Sequence, residues 1–221
     1  MTDREILSRV DHTLLQATAT WDQIKALCDE ALRYGVASVC IPPSYVAPVR
    51  AEYGGEPAIC TVVGFPLGYC AATAKAFEAE RALEDGALEV DMVINIGGVK
   101  NGDFAAALDE VKAVKKACGE KILKVIVETC YLSEDEKARL CGVVTEAGAD
   151  FIKTSTGFGT AGATLADIAL FRKHVGPGVR IKAAGGIKTR GDLEAFIAAG
   201  AARIGTSSAV KLLAGGAAGG Y

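Results

Sequence analysis

Histidine is almost absent from this 221-residue chain: His12 and His174 are the only two, and neither sits in an H-x-H or H-E-x-x-H spacing. Chemistry on a histidine-bound metal is disfavoured, and no metal is expected. An excess of charge is also missing, with 24 basic residues against 27 acidic ones. Without a strong field, neither nucleic acid nor an anionic membrane surface is an expected partner, which leaves a small molecule. The seven cysteines, at 28, 40, 60, 70, 118, 130 and 141, form no C-x-x-C pair, and several lie in apolar runs where a thiol packs as a small hydrophobe. They read as reduced, hence the chain as cytoplasmic. The first residues, Met1 to Leu7, contain no signal-peptide core, and no apolar stretch approaches the roughly 20 residues that cross a bilayer.

What is present is a repeated layout in a chain half of whose residues are hydrophobic. Four stretches consist of a helix-ending glycine, a short spacer and an apolar strand: Gly35 to Cys40, Gly86 to Asp91, Gly148 to Lys153 and Gly200 to Gly205. Further strand-like runs at Val10 to Thr13, Cys60 to Val63, Lys124 to Glu128 and Arg180 to Ala183 bring the count to eight. Helical stretches lie between most of them, opened by Thr20-x-x-Gln23, Ser133-x-x-Glu136, Thr164-x-x-Asp167 and Thr189-x-x-Asp192. In the first, Trp21, Ile24, Leu27, Cys28, Ala31 and Leu32 form an apolar stripe at helical spacing. Eight such units predict an α/β fold, a (β/α)8 TIM barrel in a single domain over 1–221, with a glycine-rich flexible tail at about 214–221. Cys40, Asp91, Lys153 and Gly205 hold the same place in four alternate units, so the first three are expected to converge inside the barrel mouth.

Two lysines stand in apolar strand runs: Lys153 in Asp150-Phe151-Ile152-Lys153-Thr154-Ser155-Thr156-Gly157, and Lys182 in Arg180-Ile181-Lys182-Ala183-Ala184-Gly185-Gly186. A buried ammonium reaches solvent, pairs with a carboxylate or gives up its proton, and two together are expected to depress one another. A neutral lysine is a nucleophile, so the pair points to Schiff-base chemistry, with Asp91 as a proton carrier. A structural ion pair of Asp91 with either lysine is the competing reading. Gly185-Gly186 and Gly205-Thr206-Ser207-Ser208 follow the last two strands, where barrels hold phosphate on backbone amides and hydroxyls. Each glycine pair or serine also reads as an ordinary turn or cap. Cys40 is expected to face substrate or to fill space as a buried thiol. Asp11 orients a lysine or a substrate hydroxyl, or caps a helix. Tyr221, at the end of the tail, carries a phenol able to move a proton.

Asp11-His12-Thr13-Leu14-Leu15, Thr61 to Gly68, Glu89 to Asn95, Lys153 to Gly157 and Lys182 to Ile187 resemble the motifs of the deoxyribose-phosphate aldolase family, in order and over nearly the whole chain. The resemblance implies a class I aldolase, without cofactor, that interconverts 2-deoxy-D-ribose 5-phosphate with acetaldehyde and D-glyceraldehyde 3-phosphate. It implies Lys153 as the Schiff-base residue, with Lys182 and Asp91 moving protons. Thr156 joins the expected substrate contacts, and Gly157, Gly185, Gly186, Gly205, Ser207 and Ser208 match the phosphate positions. The family often forms dimers or higher oligomers, so a homo-oligomer is expected. Phe158 departs from members that place a lysine after the Thr-Gly pair. The competing readings are a Schiff-base aldolase for a ketose phosphate or a keto-acid sugar, and a pyridoxal-phosphate-binding barrel without turnover.

Overall fold

The computed structural model describes residues 1–213; the expected tail at 214–221, with Tyr221, lies outside the described residues. After α1 (Asp3–Leu7), strands and helices alternate: β1 (Val10–Thr13), α2 (Trp21–Tyr34), β2 (Ser38–Ile41), α3 (Val46–Tyr53), β3 (Ile59–Val63) and α4 (Ala72–Glu84). The order continues with β4 (Glu89–Val93), α5 (Ile96–Lys100), α6 (Phe104–Cys118), β5 (Ile122–Ile126), α7 (Glu134–Glu146), β6 (Phe151–Lys153) and α8 (Leu165–His174). It ends with β7 (Arg180–Ala184), α9 (Arg190–Ala199), β8 (Arg203–Thr206) and α10 (Ala209–Leu213). The eight strands pair in parallel, each with the next, and β8 closes on β1, giving the expected (β/α)8 barrel.

The local signals act as expected. Gly35, Gly86, Gly148 and Gly200 all have positive φ, a backbone that a side chain would oppose, and each turns the chain from a helix into the following strand. Thr20, Ser133, Thr164 and Thr189 each accept the backbone N–H three residues on, which stabilises a helix start by about 1 kcal/mol apiece. The α2 stripe is narrower than its spacing predicts: Ile24, Leu27, Cys28 and Ala31 are buried, whereas Leu32 is 45% exposed at the edge of the face. The fifth strand also differs, ending at Ile126 because Glu128 adopts φ 55°, ψ 67° and turns the chain out of the ladder.

Strand alternation divides apolar from polar. Val39, Ile41, Val90, Met92, Leu123, Val125, Ile152, Ile181 and Ile204 are buried in two clusters with residues of the helices, so the hydrophobic core lies around the barrel. The residues between them meet inside. Register and contacts sort them into layers contributed by alternate strands. Ser38, Glu89, Phe151 and Arg203 form the lowest; Asp11, Cys60, Lys124 and Lys182 the next; Cys40, Asp91, Lys153 and Gly205 the third, with Thr13, Val62, Ile126 and Ala184 above them toward the mouth. The shared place of Cys40, Asp91, Lys153 and Gly205 in the repeat is thus a shared layer.

Candidate active site

The barrel interior is a lattice of charge. Lys153 Nζ and Lys182 Nζ both donate to Oδ2 of Asp91, each at 2.7 Å, while Lys124 Nζ lies 2.9 Å from Oδ1. Lys182 also donates to Asp11, whose other oxygen accepts from Ser38 Oγ at 2.8 Å and from Arg203. Lys124 reaches Glu89 at 2.5 Å and Asp11 at 3.6 Å, and Arg203 bonds Glu89 at 3.2 Å. Lys153 reaches Asp91 alone among the described carboxylates, at the end of β6 and nearest the mouth.

Burial opposes ionisation of Asp91 and Asp11, but the surrounding cations outweigh it and hold both carboxyls below their ordinary range, Asp91 well below. Burial likewise opposes charge on Lys182 and Lys124, yet the carboxylates raise both ammonium groups above the usual lysine range. This corrects the expectation that two neighbouring lysines depress one another, as far as Lys182 is concerned: Asp11 and Asp91, both bonded to it, outweigh the opposing effect of Lys124. Lys182 keeps its proton in this arrangement.

Asp11 lies one layer beneath Asp91, with its oxygens bonded to Lys182, Arg203 and Ser38, and caps no helix. Cys40 is the register partner of Cys60, whose thiol hydrogen-bonds to it and lowers the Cys40 thiol. Burial pushes Cys60 well up, with its Sγ 3.2 Å from Asp91 Oδ1. The donor atoms of Cys40, Cys60 and Asp91 cluster within 4.8 Å, as do those of Asp11, Cys60 and Glu89. These carboxylates already serve ammonium groups, which a metal ion would have to displace.

Gly157, Gly185 and Gly186 have positive φ, and the loops after β6 and β7 are packed on one another. At Gly162 a Cβ would fall 2.3 Å from the carbonyl carbon of Gly185, so backbone meets backbone there. Ala184 and Gly205 are register partners, which brings the loops after β7 and β8 out side by side. Gly205 itself faces inward, where a Cβ would lie 3.1 Å from Lys182 Cε; its missing side chain makes room for that lysine. Ser208 is buried, its Oγ 3.1 Å from Thr206 Oγ1, and Ser207 is half-buried at the start of α10. Thr156 donates both its N–H and its hydroxyl to Glu128. Burial raises the Glu128 carboxyl, against the hydrogen bonds from Thr156.

Lys124, Glu89, Arg203 and Glu128 were not singled out from the sequence. For Lys124 the signal was the one that exposed Lys153 and Lys182, a lysine inside an apolar run, Ile122-Leu123-Lys124-Val125-Ile126. Glu89 and Arg203 start their strands and resemble ordinary surface charges until the barrel closes around them. Glu128 gives no local sign of its left-handed backbone, a conformation costing about 1 to 2 kcal/mol in a residue with a Cβ.

Residues 6–219 match a family described as DeoC/LacD family aldolase. The deoxyribose-phosphate aldolase of Clostridium botulinum, strain Eklund 17B, is 58% identical over 221 residues, the whole of both chains. That of Clostridioides difficile, strain 630, is 59% identical over 210 residues, covering 95% of this chain and 96% of the other. Among solved structures, a tetrameric deoxyribose phosphate aldolase from Aeropyrum pernix superimposes with a TM-score of 0.88 at 33% identity, covering 96% of this chain and 91% of that one.

Proposed function

The chain belongs to the DeoC/LacD family of aldolases, and from that membership we propose that it cleaves 2-deoxy-D-ribose 5-phosphate reversibly through an imine on Lys153. The observation that carries this reading is one oxygen of Asp91 joined to both Lys153 and Lys182 in a buried layer below the barrel mouth. Neutral Lys153 attacks the C1 aldehyde of the open-chain sugar, and loss of water leaves an iminium that withdraws electrons from the bond between C2 and C3. Proton removal from the C3 hydroxyl breaks that bond and releases D-glyceraldehyde 3-phosphate. The remaining enamine is protonated at carbon, and hydrolysis frees acetaldehyde and the lysine.

The lattice supports a division of labour. Lys182, held charged by Asp11 and Asp91, supplies positive potential and a proton to return, while ionised Asp91 accepts protons from Lys153 or, through a water, from substrate. Gly157, Gly185 and Gly186, with Gly205, Ser207 and Ser208, cradle the phosphate on backbone amides and hydroxyls. Cys40 lines the acceptor side of the mouth. A tetrameric relative supports a homo-oligomer, and seven free thiols support a cytoplasmic setting. Among the described residues no helix is long and apolar enough to cross a membrane.

The test is direct. Acetaldehyde released from 2-deoxy-D-ribose 5-phosphate is measured, and the enzyme is reduced with borohydride in the presence of substrate. The expected outcome is turnover, with the added mass on the peptide carrying Lys153. Mass on Lys182 would reverse the two roles.

A further inference from the structure

Glu128 has no part in the chemistry above, yet it alone among the described non-glycine residues has a left-handed backbone, and its side chain is buried at 2% exposure. The chain is pinned on either side of it to the active-site strand: Val127 N–H donates to Lys153 O at 3.1 Å, and Thr129 N–H to Thr154 O at 2.9 Å. Between those two bonds the turn carries the carboxylate beneath the loop that leaves β6. Both oxygens lie 3.2 Å from Thr156 N, and the Thr156 hydroxyl donates as well. Thr156 Oγ1 in turn accepts the N–H of Phe158 at 2.9 Å. Gly159 passes so close above that a Cβ would sit 3.1 Å from Glu128 Cδ and 2.8 Å from Cys130 Sγ. The loop from Thr156 to Gly159 is therefore wound around one buried carboxylate. Its far side meets the rest of the mouth, with Phe158 edge-on to Phe65 at 5.4 Å and Gly157 so placed that a Cβ on Gly185 would fall 3.7 Å from its Cα.

We propose that Glu128 is the positioning residue for Lys153: acting through Thr156, its carboxylate fixes the loop from Lys153 to Gly159 so that the lysine is aimed at the bound aldehyde. The inference rests on Lys153 being the imine-forming residue. Glu128 does not itself transfer protons, since its acceptor capacity is taken by Thr156 and by the Cys130 thiol at 3.9 Å. Without the carboxylate, the buried N–H of Thr156 loses its acceptor, and the loop leaving β6 loses its side-chain tie to the turn beside Lys153. A displacement of about 1 Å at a reacting group lowers rates by roughly 100-fold.

Wild type, Glu128→Gln, Thr156→Val and the double variant separate this role from a merely structural one. Glutamine keeps the shape and one acceptor oxygen but not the charge. Three quantities are measured: the single-turnover rate of imine formation with acetaldehyde, trapped by borohydride; kcat and KM for 2-deoxy-D-ribose 5-phosphate; and the thermal midpoint. Expected are imine formation and kcat about 10- to 100-fold slower in each single variant, adduct still on Lys153, and a double variant no slower than the worse single one. Imine formation within twofold of wild type in Glu128→Gln, losses that multiply in the double variant, or losses matched by the unfolded fraction would each overturn the proposal. Should Glu128→Gln fail to fold, Thr156→Val decides by the same rates. An adduct elsewhere than Lys153 in wild type removes the underlying reading, and this proposal with it, whatever the variants do.

Discussion

Inside the barrel four cations, Lys124, Lys153, Lys182 and Arg203, face three carboxylates, Asp11, Glu89 and Asp91. One positive charge is in excess in a buried site, and Lys153 is tied to the fewest carboxylates. Lys182→Met removes the excess while retaining bulk. The variant takes one cation from beside Lys153, so catalysis loses that positive potential. We expect kcat/KM to fall by at least about 100-fold and the pH–rate profile of the remainder to move alkaline. A rate near wild type with an unmoved profile would rule out this role for Lys182. The Lys153–Lys182 pair was legible in the sequence because each ammonium interrupts an apolar run; the charge count was not, because Arg203 and Glu89 acquire their positions only when β8 and β4 face one another across the closed barrel.

At the scale of elements, the proposed phosphate site depends on the contact between the loops after β6 and β7. Gly162 is the sharpest probe, since a methyl group there meets the Gly185 carbonyl carbon and oxygen at 2.3 Å and Gly186 N at 2.7 Å. These are backbone atoms, so they cannot rotate away as a side chain does. Gly162→Ala should part the two loops and raise KM for 2-deoxy-D-ribose 5-phosphate at least about tenfold, worth ~1.4 kcal/mol. Acetaldehyde has no phosphate, and its rate of imine formation on Lys153 should change by less than about threefold. Equal losses for both would mean that the loop carries Lys153 rather than phosphate. The strand starts and the helix caps around these loops were readable from glycine spacing and Ser/Thr residues. The approach of Gly162 to Gly185 was not, because it joins residues on different loops whose spacing no local pattern fixes.

For the whole molecule, the same lattice sets the response to pH. Asp11 and Asp91 are held low, so their contribution is complete above the unfolded carboxyl range near ~4 and is lost as pH falls through their lower folded values. Lys124 and Lys182 are held high, so theirs is complete below ~10.4 and is lost as pH rises through their folded values. Glu128, raised by burial, runs the other way and weakens the fold as it ionises just above the usual carboxyl range. Urea midpoints should therefore be level from about pH 6 to 9 and fall steeply in acid as the buried carboxyls protonate. Asp11→Asn, which leaves Lys182 and Arg203 short of one partner, should cost about 3 kcal/mol at pH 7. A midpoint that climbed steadily from pH 6 to 9 would contradict this account.

The sequence by itself determined the barrel, the layer holding Cys40, Asp91, Lys153 and Gly205, and the burial of the two lysines. Those features follow from local rules: a glycine that ends a helix, a period of two along a strand, and an ammonium that apolar neighbours make costly. Only the tertiary structure decided which charges meet. It set Lys124 under Asp91, Asp11 beside Lys182, Arg203 beneath it, and Glu128 beneath Thr156. The reason is that a buried ion pair is fixed by closure of the barrel, which joins residues as distant as Asp11 and Arg203 through strand register, and spacing along the chain carries no trace of that partner.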